Sequence, residues 1–296
     1  MLIGLVACEK NFDIVVKANK PLLVVEGYIN NAMRPYNYVI LTRSQDYYDT
    51  SLLGLPVSGA IVTVTEGTMQ SDHTYNWDAS STAVLQESSS SDTIFRNLPG
   101  TYFDARLNTD SAHALIGTPG KYYLLEIEAE GKHYSSVTFL PQPVIIDSLT
   151  SGYHFVDTDN EDGDTTETKA RVTIHYQDPD TIGNTLLFYS RSYDNRNNVG
   201  WGGLRSNRFI TGTDDLTNGE YMHLTIPTGF SIDEAVDYYM ISVERNVYNF
   251  WDSYRKARNN GGPFSTPVTL LNTINGEDVT GCFSGFSVST KSIVVQ

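Results

Sequence analysis

The chain has 296 residues, 35 of them acidic and 20 basic, for a net charge of −15. That balance lacks the electrostatic footprint of a nucleic-acid binder, and an anionic lipid surface would repel it unless a separate anchor held it there. Hydrophobic residues make up 40% and charged residues 19%, with 19 Tyr, 12 Phe and 3 Trp, a composition that excludes a disordered chain and favours strands.

At roughly 100–200 residues per domain, two domains are expected. Met1 to Ala7 is a short apolar run ending in small residues before Cys8. Leu5-Val6-Ala7-Cys8 fits the lipobox of a bacterial lipoprotein signal. The expectation is that residues 1–8 hold a signal remnant and that Cys8 is the lipidation site. Two or more acyl chains there give stable anchoring. A full signal has a basic n-region and a longer apolar stretch, whereas here Lys10 follows the cysteine. Glu9, Lys10 and Asp13 behind it resemble surface-export signals, and 9–20 reads as a tether. No other stretch approaches the ~20 apolar residues of a membrane span. Cys282, the other cysteine, is expected to be a buried small hydrophobe, with a Cys8–Cys282 bridge as the rival.

Strand-like segments then recur. Residues 22–29 and 36–42 come first. Ala60 to Thr65 alternates apolar and hydroxyl residues with the period of a half-buried strand. Tyr122 to Glu130 and Tyr134 to Leu140 flank Glu130-Gly131, a hairpin turn signal. Short strands at this spacing point to a sandwich. Leu140-Pro141-Gln142-Pro143 interrupts the pattern, because two prolines cannot both donate to a central ladder. The expected division is therefore 21–140 and 144–296. Strands resume at 144–153, 169–176, 186–193, 221–227, 236–243 and 285–295. Val247, Phe250, Trp251 and Tyr254 follow i, i+3, i+4, i+7, which predicts an amphipathic helix near 247–258. Arg255, Lys256 and Arg258 suit its last turn, and the stripe reads as core packing. Ser88 to Ser91 reads as a hairpin tip.

Chemistry-bearing motifs are sparse. Asp157, Asp159, Asp162 and Asp164 alternate in an acidic loop, the pattern of a calcium-wrapping loop. With Gly163 as the sixth position, Thr158 falls first and Lys169 twelfth, where carboxylates are needed, so the motif fails. Calcium remains a weak option, and no other cofactor is implied. The six histidines include no HxH or HExxH pair, so no zinc signature stands. There is no nucleophile elbow, P-loop or dinucleotide fingerprint. Gly200-Trp201-Gly202-Gly203 offers an exposed ring that could stack on a sugar or a partner, and Tyr193, Arg196 and Arg205 could line the same surface.

Several stretches together resemble a known family. They are Pro21 to Ile29, Leu41-Thr42-Arg43-Ser44, Pro56 to Val64, Pro119 to Leu124, Phe250-Trp251, Gly262-Pro263-Phe264 and Gly281 to Val288. In this order they are similar to the Bacteroidota lipoprotein family known as domain of unknown function 4249. The resemblance implies a cell-envelope lipoprotein with an N-terminal immunoglobulin-like β-sandwich, working beside TonB-dependent outer-membrane receptors. It carries over no catalytic residues.

The expectation is an all-β chain. An immunoglobulin-like β-sandwich is followed by a second β-rich domain carrying one amphipathic helix. The expected function is that of a non-enzymatic accessory or binding subunit, lipid-anchored in the outer membrane and partnered by a TonB-dependent β-barrel. Two alternatives stand beside it. One is a surface glycan- or peptide-binding protein or glycan-acting enzyme, and the other is an adhesin or structural module.

Overall fold

The structure is a computed structural model that describes residues 20–45, 51, 54–157, 167–181, 183, 185–193, 210–213, 218–260 and 268–296. The first half carries β1 (Leu23–Asn30), β2 (Tyr38–Arg43), β3 (Ile61–Met69), β4 (Tyr75–Trp77), β5 (Ala83–Glu87), β6 (Thr101–Phe103), a one-turn α1 (Arg106–Thr109), β7 (Tyr122–Ala129) and β8 (Lys132–Phe139). The second carries β9 (Ile146–Asp157), β10 (Glu167–Gln177), β11 (Thr185–Tyr193), β12 (Ile210–Thr213), β13 (Tyr221–Ser231), β14 (Ala235–Val243), α2 (Arg245–Asn259) and β15 (Val279–Val294). The chain is all-β and sandwich-like, as its alternating segments predict.

One long sheet runs β12-β11-β14-β15-β1-β2-β6-β5-β3-β7-β8, with β4 beside β3, and a separate sheet runs β13-β10-β9. In the first sandwich, Val25 and Ile29 of β1 and Leu41 of β2 meet Val62 of β3, Leu125 and Ile127 of β7 in one core. Each fully buried aliphatic side chain there contributes about 1.5–3 kcal/mol of transfer free energy. The β7–β8 hairpin turns at Glu130 (φ 54) and Gly131 (φ 75), the two left-handed positions of a primed turn.

The second sandwich lays the three-stranded sheet over the β11-β14-β15 end of the long sheet. Val172 and Ile174 of β10, Phe230 of β13, Phe188 of β11 and Tyr238 and Met240 of β14 form its core. Between the two, Leu140 is fully buried and the Val144 N–H donates to Ser242 Oγ at 3.2 Å, so the proline segment is packed rather than free.

β15 belongs to both sandwiches. Its first half pairs in parallel with β1, Leu23 opposite Val279 through Asn30 opposite Phe286. Its second half pairs with β14, from Phe286 opposite Val243 to Val294 opposite Ala235. Ile274 and Phe283, expected in the second domain, sit in the first core. The strand also begins six residues before the expected 285, at Val279. Gly281 and Gly285 are places where backbones meet. A Cβ on Gly281 (φ 144) would lie 1.9 Å from the Val25 carbonyl oxygen, and one on Gly285 would lie 2.6 Å from that of Phe139.

α2 spans the expected helix and packs on β15. Val247 and Phe250 are buried against Cys282 and Leu187. Trp251 stacks on Tyr28 with ring centroids 6.3 Å apart, and its indole N–H donates to Ser284 Oγ at 3.0 Å.

Candidate functional site

The three-stranded sheet has one face in the second core and one in solvent. β10 alternates along its length. Ala170, Val172, Ile174 and Tyr176 point inward and are buried, so Lys169, Arg171, Thr173, His175 and Gln177 share the outward face. β9 and β13 flank β10 on either side.

Near one end, Lys169 is opposite Phe155 and Arg171 is opposite Gly152, so Tyr153 and His154 together face the single residue Ala170. This is a β-bulge, which bends a strand and re-aims its side chains. Tyr153 adopts φ 51, a left-handed conformation costly for a bulky residue, and its side chain is 70% exposed. The Arg171 guanidinium carbon lies 4.8 Å from the centroid of the Tyr153 ring and 5.2 Å from that of Phe155. Both distances are within cation–π range. Gly229 on β13 makes room for this arrangement, since a Cβ there would come 2.3 Å from Phe155 Cζ. Arg171 Nε is buried without a hydrogen-bond partner among the described residues.

Toward the other end, hydroxyls and imidazoles pair across β10. Thr173 Oγ1 and Thr225 Oγ1 are 2.8 Å apart. His175 lies directly opposite His223, and their Nδ1 atoms are 2.7 Å apart. His175 Nε2 meets Thr150 Oγ1 of β9 at 2.8 Å. The half-exposed Tyr221 ring stands edge-on to His223, centroids 5.1 Å apart. One sheet face therefore presents an aromatic–guanidinium cluster at Arg171 and a histidine pair at His175, four residues apart along β10.

The family model described as domain of unknown function (DUF4249) matches residues 9–292. The chain belongs to the DUF4249 family. No curated protein matches this DUF4249 chain.

Most of the sequence candidates fall elsewhere. Cys8, Trp201, Arg196, Arg205, Asp159, Asp162 and Asp164 lie outside the described residues. The backbone of Tyr193 closes β11 opposite Ala235, and that of Asp157 closes β9 opposite Glu167. These two belong to different sheets. Among the described residues, no three His, Cys, Asp or Glu side chains gather as a metal-holding group, and no helix is long and apolar enough to cross a membrane.

Sequence reasoning missed Tyr153, Arg171, Phe155, His175 and His223. Alternation along Lys169 to Gln177 was a usable signal, for it places Arg171, Thr173 and His175 on one face. His223 joins them only through strand register.

Two other places in this DUF4249 protein offer less. At the α2–β15 junction, burial pushes the Cys282 thiol up to about 11, so it is neutral at pH 7 and a poor nucleophile. Burial also raises the Glu244 carboxyl, against the opposing bonds it accepts from Thr138 Oγ1 (2.9 Å) and the Phe139 N–H (3.2 Å). Both groups tie α2 to the sandwiches. A shallow groove beside Arg255 and Lys256 marks the C-terminal end of α2. Asp252 already pairs with both cations at 2.6 Å, and the helix C-terminus repels anions.

Proposed function

We propose that this protein is a lipid-anchored, non-catalytic binding subunit of the bacterial cell envelope, acting with a TonB-dependent outer-membrane β-barrel. Leu5-Val6-Ala7-Cys8 supports the anchor. The binding role rests on Arg171 lying over the Tyr153 and Phe155 rings, on the sheet face turned away from the second core. Aromatic and arginine side chains together dominate binding energy at protein interfaces. The guanidinium fork matches a partner carboxylate in a way a lysine would not. Backbone strain at Tyr153, which displays the ring, fits a position kept for recognition rather than stability.

The test is affinity purification of the lipidated chain from its own membranes. A stoichiometric β-barrel protein is expected, with recovery lowered by Arg171→Ala and by Tyr153→Gly. Recovery no greater than that of a Cys8→Ala control defeats the proposal.

The same face favours a second reading, a surface binder of acidic glycans. Two rings beside a guanidinium suit a sugar ring bearing a carboxylate. A glycan array would then show uronic-acid polymers bound and neutral polymers not, with the signal lost in Arg171→Ala. Equal binding of both classes argues against it.

A further inference from the structure

We propose that His175 and His223 form a two-imidazole chelate for a divalent late-transition cation, with copper(II) held most tightly. The inference stands on the geometry of the histidine pair and is independent of any role for Arg171. The two residues are direct cross-strand partners on neighbouring antiparallel strands, β10 and β13. Their Nδ1 atoms share a hydrogen bond at 2.7 Å, whose proton the metal would displace. Two nitrogens about 2.0 Å from one metal at a right angle are about 2.8 Å apart, whereas a tetrahedral pair is about 3.3 Å apart. The spacing therefore lies nearer a square-planar metal than zinc. Imidazole nitrogen suits copper, and copper(II) heads the affinity order of the divalent series.

The surroundings of the pair support this use. A metal-bound histidine commonly donates its other ring N–H to a fixed acceptor, which sets the tautomer and holds the ring. Thr150 Oγ1, 2.8 Å from His175 Nε2, is placed to accept that hydrogen bond. With the proton on Nε2, the lone pair on Nδ1 is free for the metal. His223 is exposed, so its proton can reside on Nε2 toward solvent while Nδ1 turns to the metal. The Tyr221 ring, edge-on to His223, limits where that imidazole can swing. A cation would sit off the line between the two Nδ1 atoms, on the solvent side, with water in its remaining positions. No third protein ligand gathers there among the described residues. The chelate is therefore open and exchangeable, a loading site rather than a structural cage. The net charge of −15 raises the local concentration of cations.

The experiment is a copper(II) titration of the untagged full chain in a non-coordinating buffer at neutral pH, followed by calorimetry and by electron paramagnetic resonance. One equivalent is expected, with coupling to two nitrogens and weaker binding of zinc(II). His175→Gln and His223→Gln are each expected to lower affinity at least about tenfold and to leave coupling to one nitrogen. Thr150→Val is expected to cause a smaller loss with both nitrogens retained, while His154→Gln changes nothing. His223→Gln lies on an exposed edge strand, so an unchanged melting curve separates ligand loss from unfolding. Copper binding that survives unaltered in the double variant, or the absence of any saturable binding, overturns the proposal.

Discussion

In the first sandwich, the outward side of β1 carries Glu26 and Tyr28, and α2 reaches over it to stack Trp251 on the Tyr28 ring. In the second, the outward side of β10 carries Arg171, Thr173 and His175, turned away from the core and only partly buried. Both strands alternate with the same period, so local pattern does not separate the two cases. The covering element does. Where a helix arrives, Tyr28 is stacked against Trp251, beside a small core of Cys282, Phe250 and Val247. Where none arrives among the described residues, Arg171, Thr173 and His175 are only partly buried and remain available to a ligand. Binding chemistry is therefore to be sought on the face that the described residues leave partly open.

β15 links the two regions, and the largest expected effect is on it. Phe283→Ala empties a fully buried site in the first core and should cost about 3–5 kcal/mol. Because the same strand pairs with β14, denaturant should still unfold both sandwiches in a single, lower transition. Two separated transitions would show that they melt independently.

Trp251→Ala strips the cover from the first outward face. The ring is half-buried, so a loss of about 2–3 kcal/mol is expected, with increased binding of an apolar dye. Unchanged dye binding would mean that α2 does not cover the face through this ring.

Glu244 gives a smaller effect with a definite sign. Burial raises its carboxyl above the ordinary glutamate range, so the folded state holds the proton more tightly than the unfolded state. Its contribution to stability is therefore greatest at acid pH and is lost as pH rises from the ordinary glutamate range through the folded value. The slope is at most about 1.4 kcal/mol per pH unit. Glu244→Gln should abolish that decline in pH-dependent denaturation, whereas an unchanged slope would place its origin elsewhere. Asp278 works on the acid side in the opposite sense. Hydrogen bonds from Lys132 and Lys20 hold its carboxyl down to about 2, and that contribution fades as pH falls toward this value.

The smallest effect is expected on the partly open face. Tyr153→Gly relieves a left-handed backbone while removing a cation–π contact, so stability should change by less than about 1 kcal/mol while ligand capture falls. A large loss of stability would instead make the ring a structural part of the bulge.

Much of the fold was legible along the chain. The β7–β8 hairpin, the alternation of β10 and the stripe of α2 each follow from residues within a few positions of one another. β4, β5, β6 and β12 escaped notice because strands of three to five residues carry too few alternations to rise above their loops. The first residues of β15 escaped for a different reason, since the role of its glycines is to admit a distant backbone.

The site divides the same way. The sequence by itself determined the all-β class, the helix and the outward row Arg171, Thr173 and His175, because side-chain alternation is a local property of an extended backbone. Only the tertiary structure decided that Tyr153 stands beside Arg171, that His223 faces His175, and that β15 joins two sandwiches. Those depend on a bulge, on the register of strands 48 residues apart and on a parallel pairing across 256 residues, from Leu23 to Val279. Long-range pairing is set by which faces can be buried together, and no window of neighbouring residues contains that information.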